Sequence, residues 1–110
     1  MGDAGQPFLT EALDRLWLQF LPQMEERVAV LETASSALAT GTLSIDQRVA
    51  ANSAAHNLAG VLGTFGLTKG TILAREAEII YSGEPETDPD AASRLHQIAE
   101  QLKAVVASRK

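Results

Sequence analysis

Apolar residues return along the first third of the chain at spacings of three, four and seven: Leu9, Leu13, Leu16, Phe20, Met24, Val28, Leu31 and Leu38. This is the period of an amphipathic helix, and it predicts one from Phe8 to about Leu38. Pro22 falls inside the run and has no N–H to give, so the segment is either a short first helix ending near Leu21 or one long kinked helix. Gly41 supplies a C-cap, and Ser44 with Gln47 three residues later has the signature of a capping box. The helix it opens runs from Ile45 to about Phe65, with Ala51, Ala54, Ala55, Leu58, Leu62 and Phe65 on its core face. Gly66 ends that helix, and Thr68 caps a third whose inward residues are Leu73, Ala77 and Ile80, out to about Tyr81. After a loop from Ser82 to Thr87, Asp88 and Pro89 provide an N-cap and an N1 proline for a last helix. Its stripe is Ala91, Leu95, Ile98, Leu102 and Val106.

Helices joined by short loops, with no strand alternation, predict an all-α fold. The expected architecture is an up-and-down four-helix bundle, with either an additional short N-terminal helix or a kinked first helix. Residues 1–110 are one domain, with a flexible tail over 1–7. The chain is 45% hydrophobic and has no cysteine, so it buries a core without disulfides and offers no thiol chemistry. Its N-terminus is polar and acidic, unlike a signal peptide. The longest run free of charged residues, Val49 to Thr68, contains Asn52, Ser53, His56, Asn57 and three glycines, which argues against a membrane span. A cytoplasmic monomer is expected.

Chemistry narrows by exclusion. A net charge of −5 without clustered basic residues disfavours nucleic acid. Two histidines and no Glu-x-x-His pair leave no metal site of the kind bundles build, and phosphate-loop, dinucleotide and hydrolase motifs are missing. His96 has the makings of an ordinary surface histidine with Glu100 one turn later.

His56 is different. On the helical wheel it lies opposite the core stripe of the second helix, with Asn52, Gly60 and Gly63 near it. A glycine inside a helix costs about 1 kcal/mol relative to alanine, so two within one turn need a reason. They either admit a neighbouring helix of the bundle or keep the surface beside the imidazole low enough for another molecule to approach. Ile45 and Val49 fall on the same side toward the helix start. The N-terminal helix is expected to cover them, the alternative being an apolar docking patch.

The segment from Ala55 to Gly66, Ala-His-Asn-Leu-Ala-Gly-Val-Leu-Gly-Thr-Phe-Gly, resembles the phosphorylation-site helix of histidine-containing phosphotransfer (HPt) domains, including those of chemotaxis histidine kinases. Ala55, His56, Leu58, Gly60 and Gly66 match the family pattern. The resemblance implies a helical bundle that relays phosphoryl groups, with His56 as phosphoacceptor. Glu78 resembles the glutamate that hydrogen-bonds the imidazole nitrogen remote from the phosphoryl group, and Arg75 resembles a basic or polar residue near the histidine. From the residues alone, Arg75 and Glu78 are equally well an i,i+3 surface pair. One departure stands out: the family commonly has lysine three residues after the histidine, and this chain has Ala59. The wheel puts Ala59 about 60° from His56, on what is expected to be an exposed flank.

The resemblance further implies a receiver docking surface, here Asn52, Asn57, Ala59, Gly60 and Gly63. The partners are response-regulator receiver domains or a histidine kinase. The chain is then a phosphocarrier without kinase activity and without a cofactor of its own, magnesium being supplied by the receiver. The alternative is a catalytically silent adapter that binds such partners without phosphotransfer.

Overall fold

A computed structural model describes residues 6–109. Four helices follow one another: α1 over Gln6–Ala39, α2 over Ile45–Thr64, α3 over Thr68–Ser82 and α4 over Ala91–Ser108. Each packs against its neighbours in sequence, and α4 closes the ring against α1, which is the up-and-down four-helix bundle. The tail expected over 1–7 lies largely outside the described residues, and Gln6 and Pro7 already belong to α1.

At Pro22 the helix continues without a break. Pro22 and Leu18, whose carbonyl loses its helical partner, are both exposed, so the missing hydrogen bond lies on the solvent side where it costs least. A 34-residue helix is about 51 Å long, and α1 accounts for the 55 Å long dimension of the molecule. It outreaches its neighbours. The ends of α2 and α4 lie level with Trp17, which packs edge-on against Phe65 at 5.1 Å beneath the Arg109 guanidinium. Leu9, on the apolar period of this helix, lies beyond those ends and is exposed, whereas Leu16 lies level with them on the solvent side, its neighbour Trp17 being the buried one.

Helix termini follow local chemistry. Gly41 and Gly66 both adopt φ of +71°, the left-handed conformation that lets the chain leave a helix. The capping box is complete: the Gln47 amide donates to Ser44 Oγ at 3.0 Å, and the Ser44 amide donates to Gln47 Oε1 at 2.8 Å. Two expected caps move. Thr68 is already the first residue of α3 and makes no capping bond. Asp88 does not cap α4: it closes a 3-10 turn over Pro85–Thr87, its carboxylate accepts the Asp90 amide at 2.9 Å, and α4 starts at Ala91.

The core holds the predicted stripes of α2 and α4, with Phe65 half-buried at its edge. On α3, Gly70, Leu73, Ala74, Ala77 and Tyr81 are buried, and Ile80 is half-buried. Outside the core, Arg94 on α4 grips Glu76 on α3 with two hydrogen bonds, which hold the Glu76 carboxyl below the usual carboxylate range.

Candidate functional site

The outer edge of the α2–α3 seam brings together residues 22 positions apart in the chain. His56 leaves α2 with its side chain 70% exposed, and its Nδ1 lies 2.8 Å from Glu78 Oε2 on α3. An ionised carboxylate has no proton to give, so Nδ1 donates, and this bond selects the tautomer in which Nε2 keeps a free lone pair. The result is an oriented imidazole whose second nitrogen faces solvent with a lone pair available for nucleophilic attack. Arg75 does not form the surface pair that its spacing allows: Glu78 turns to His56, and Arg75 stands exposed one turn earlier, in no ion pair among the described residues.

Asn52 has a role that its wheel position did not disclose. Its side-chain amide donates to the Glu78 carbonyl at 2.9 Å, which ties α2 to α3, so it is half-buried at the seam. Arg48, one turn before, reaches the carbonyls of Tyr81 at 3.4 Å and Gly83 at 3.1 Å at the end of α3. Arg48, Asn52 and His56 thus form a polar ladder at i, i+4 and i+8, and all three rungs meet α3.

Ala59 is the second correction. It is only 4% exposed, because its 60° offset turns it toward α3, where the Thr71 hydroxyl donates to its carbonyl at 3.3 Å. It therefore lies buried in the seam and not on the exposed flank expected of it. Asn57 and Gly60 are exposed as expected, and so is Gly63. A Cβ added at Gly60 would meet nothing within 4 Å, and one at Gly63 would make an ordinary 3.5 Å contact with the Thr71 side chain. Neither glycine is required for helix packing. The packing glycine is Gly70, where a Cβ would come within 2.9 Å of Leu62 and 3.1 Å of Val105.

Beside His56 and Gly60 the surface dips into an open depression of about 310 Å³, floored by Phe20, Val61 and Phe65. Ile45 and Val49, expected under the N-terminal helix, are instead 73% and 56% exposed, so α1 leaves the start of that face open. Among the described residues, no three His, Cys, Asp or Glu side chains cluster as metal ligands. No helix there is long and apolar enough to cross a membrane.

The profile of the family described as Hpt domain matches residues 15–107, from within α1 to near the end of α4. The chain belongs to the Hpt domain family. Over 101 residues it is 32% identical to Protein RcaC of Microchaete diplosiphon, covering 92% of this chain and 15% of that protein. It thus spans about one seventh of the length of that relative. No solved structure matches. Hpt domains are phosphocarrier modules of phosphorelays that interact with receiver or kinase domains and do not themselves act as kinases. The structure brings His56 and Glu78, the two residues that the resemblance paired, within 2.8 Å of each other.

Proposed function

We propose that His56 Nε2 accepts a phosphoryl group from the aspartyl phosphate of a receiver domain, or from a histidine kinase, and passes it to another receiver. One observation carries this reading: Nδ1 is engaged by Glu78 at 2.8 Å while the ring stands in solvent. In the forward step the Nε2 lone pair attacks phosphorus, the P–N bond forms, and the P–O bond to the aspartate breaks, returning a carboxylate. The proton stays on Nδ1, where Glu78 stabilises the cationic phosphoimidazole. Magnesium and a lysine of the receiver would neutralise the transferring oxygens, so this chain contributes a nucleophile and an unobstructed approach. Gly60, Asn57 and the neighbouring depression provide that approach. The proposed setting is the cytoplasm, with the domain monomeric.

The absence of a lysine at position 59 favours a second reading, an adapter that docks on the same partners without accepting phosphate. Incubation with a receiver phosphorylated by a small phosphodonor separates the two. Phosphotransfer gives an acid-labile, alkali-stable label on this chain, and His56→Gln abolishes it while leaving the circular dichroism and melting temperature near wild type, since an exposed side chain contributes little stability. Binding without label establishes the adapter. Label that persists in the variant, or moves to His96, refutes the assignment of His56.

A further inference from the structure

We propose that Asn52 is a positioning residue for the His56 imidazole, acting through Glu78. The inference deepens the phosphotransfer reading and rests on it for its consequence in transfer, although its geometric part stands separately. Glu78 is held at two points by two α2 residues one turn apart: its carbonyl accepts from Asn52 Nδ2 at 2.9 Å, and its carboxylate accepts from His56 Nδ1 at 2.8 Å. The first bond fixes where the Glu78 backbone lies relative to α2, and the second depends on that placement. A glutamate side chain has three rotatable bonds, so a carboxylate reaches one nitrogen reproducibly only if its Cα is fixed.

The packing of the seam does not fix it alone. Most of the buried residues here are small, Ala51, Ala54, Ala55 and Ala59 on α2 and Gly70, Ala74 and Ala77 on α3, with Leu58, Leu62, Leu73 and Tyr81 as the larger members. Methyl groups interdigitate less deeply than the large side chains of a typical helix interface and resist axial sliding less. Register therefore depends on directed bonds: Arg48 at the end of α3, Thr71 onto the Ala59 carbonyl, and Asn52 between them. Of these, Asn52 alone bonds to the residue that orients the histidine.

The test combines imidazole 15N chemical shifts of the unphosphorylated protein with rates of phosphorylation by one phosphorylated receiver. The comparison covers wild type, Asn52→Ala, Glu78→Ala, the double variant and Arg48→Ala. Asn52→Ala is expected to move the Nδ1–H tautomer fraction toward that of Glu78→Ala, and to slow labelling about two- to tenfold, the range one neutral hydrogen bond supports. In the Glu78→Ala background it should change neither quantity further. Arg48→Ala, which removes a seam bond that does not involve Glu78, should lower the melting temperature and move the tautomer fraction less than Asn52→Ala does; an equal or larger shift would assign the positioning to the seam as a whole and overturn the proposal. If the alanine variant does not fold, Asn52→Asp, equal in size but without the donor, and Asn52→Ser carry the same readouts. An unchanged tautomer fraction in Asn52→Ala overturns the proposal, as does equal slowing with and without Glu78, or wild-type behaviour of Asn52→Asp. Failure of phosphotransfer itself is distinguishable, because the tautomer is measured with no phosphodonor present.

Discussion

The α1–α4 seam and the α2–α3 seam belong to one bundle but are built from different materials. On α1 and α4 most of the buried residues are large, Trp17, Met24, Val28 and Leu31 on one side and Leu95, Ile98, Leu102 and Val106 on the other, with Ala34, Ser35, Ala37, Ala91 and Ala99 among them. Ion pairs border this seam, Lys103 with Glu32 at 3.8 Å and Arg109 with Asp14 at 3.2 Å. Between α2 and α3 the inner faces are mostly alanine and glycine, and the outer edge carries side-chain hydrogen bonds to backbone carbonyls. Burial of large apolar groups is strong but undirected. Hydrogen bonds are individually weaker and fix atoms in place. The α1–α4 seam thus holds more of the large apolar side chains, and the α2–α3 seam, where the histidine is, more of the directed bonds.

Cavities on the two sides sharpen that contrast most. Leu102 is fully buried, and Leu102→Ala should cost about 2–5 kcal/mol in denaturant melts, with no change in transfer rate per folded molecule. A variant that keeps its stability yet loses transfer would remove the division of labour between the seams.

Alkaline pH tests how dry the α3 face of the core is. Tyr81, the single tyrosine, is buried, and burial pushes its hydroxyl from an ordinary value near 10 up to about 12. The folded protein then keeps a proton that the unfolded chain has already released. The associated stability is whole below pH 10 and is lost as pH rises toward 12, about 2–3 kcal/mol in all. Tyrosinate absorbance should appear only near pH 12 or with unfolding, and Tyr81→Phe should remove this alkaline slope. Ionisation near pH 10 with the helices intact would show that water reaches this part of the core.

Two glycines give a smaller and opposed pair of effects. Gly70→Ala forces a methyl against Leu62 and Val105 and should destabilise by about 1–3 kcal/mol. Gly60→Ala meets open space and should stabilise by up to about 1 kcal/mol while slowing transfer from a receiver. Equal signs in thermal melts would erase the distinction between a packing glycine and an access glycine. The smallest effect belongs to Arg75. Exposed and in no ion pair among the described residues, it should change the labelling rate only about twofold in Arg75→Ala, since solvent screens exposed charges. A tenfold loss would make it a direct phosphoryl contact.

Local rules carried the sequence reading furthest where local physics decides the outcome. The capping box at Ser44 and Gln47, the left-handed glycines 41 and 66, and the stripes of α2 and α4 are all properties of a few neighbouring residues. Leu9 and Leu16 share the apolar period of α1 yet are exposed, because periodicity fixes neither how the helix is rotated against its neighbours nor how far those neighbours extend. Ala59 and Asn52 were misjudged for a related reason. An angle on one helix does not say on which side the next helix lies, and α3 covers one flank of His56 while leaving the other open. The His56–Glu78 pairing was legible through family resemblance and not through spacing, because no helical rule relates residues on different helices.

Phe65 belongs to two neighbourhoods. One side of it helps floor the depression beside His56, and its ring also meets the edge of Trp17, the single tryptophan, whose other neighbour is the Arg109 guanidinium at 5.1 Å. Indole emission responds to the position of nearby charge and to polarity. A body settling into the depression presses on an aromatic that touches the chromophore, so the domain carries its own optical gauge of occupancy, readable without dye or label.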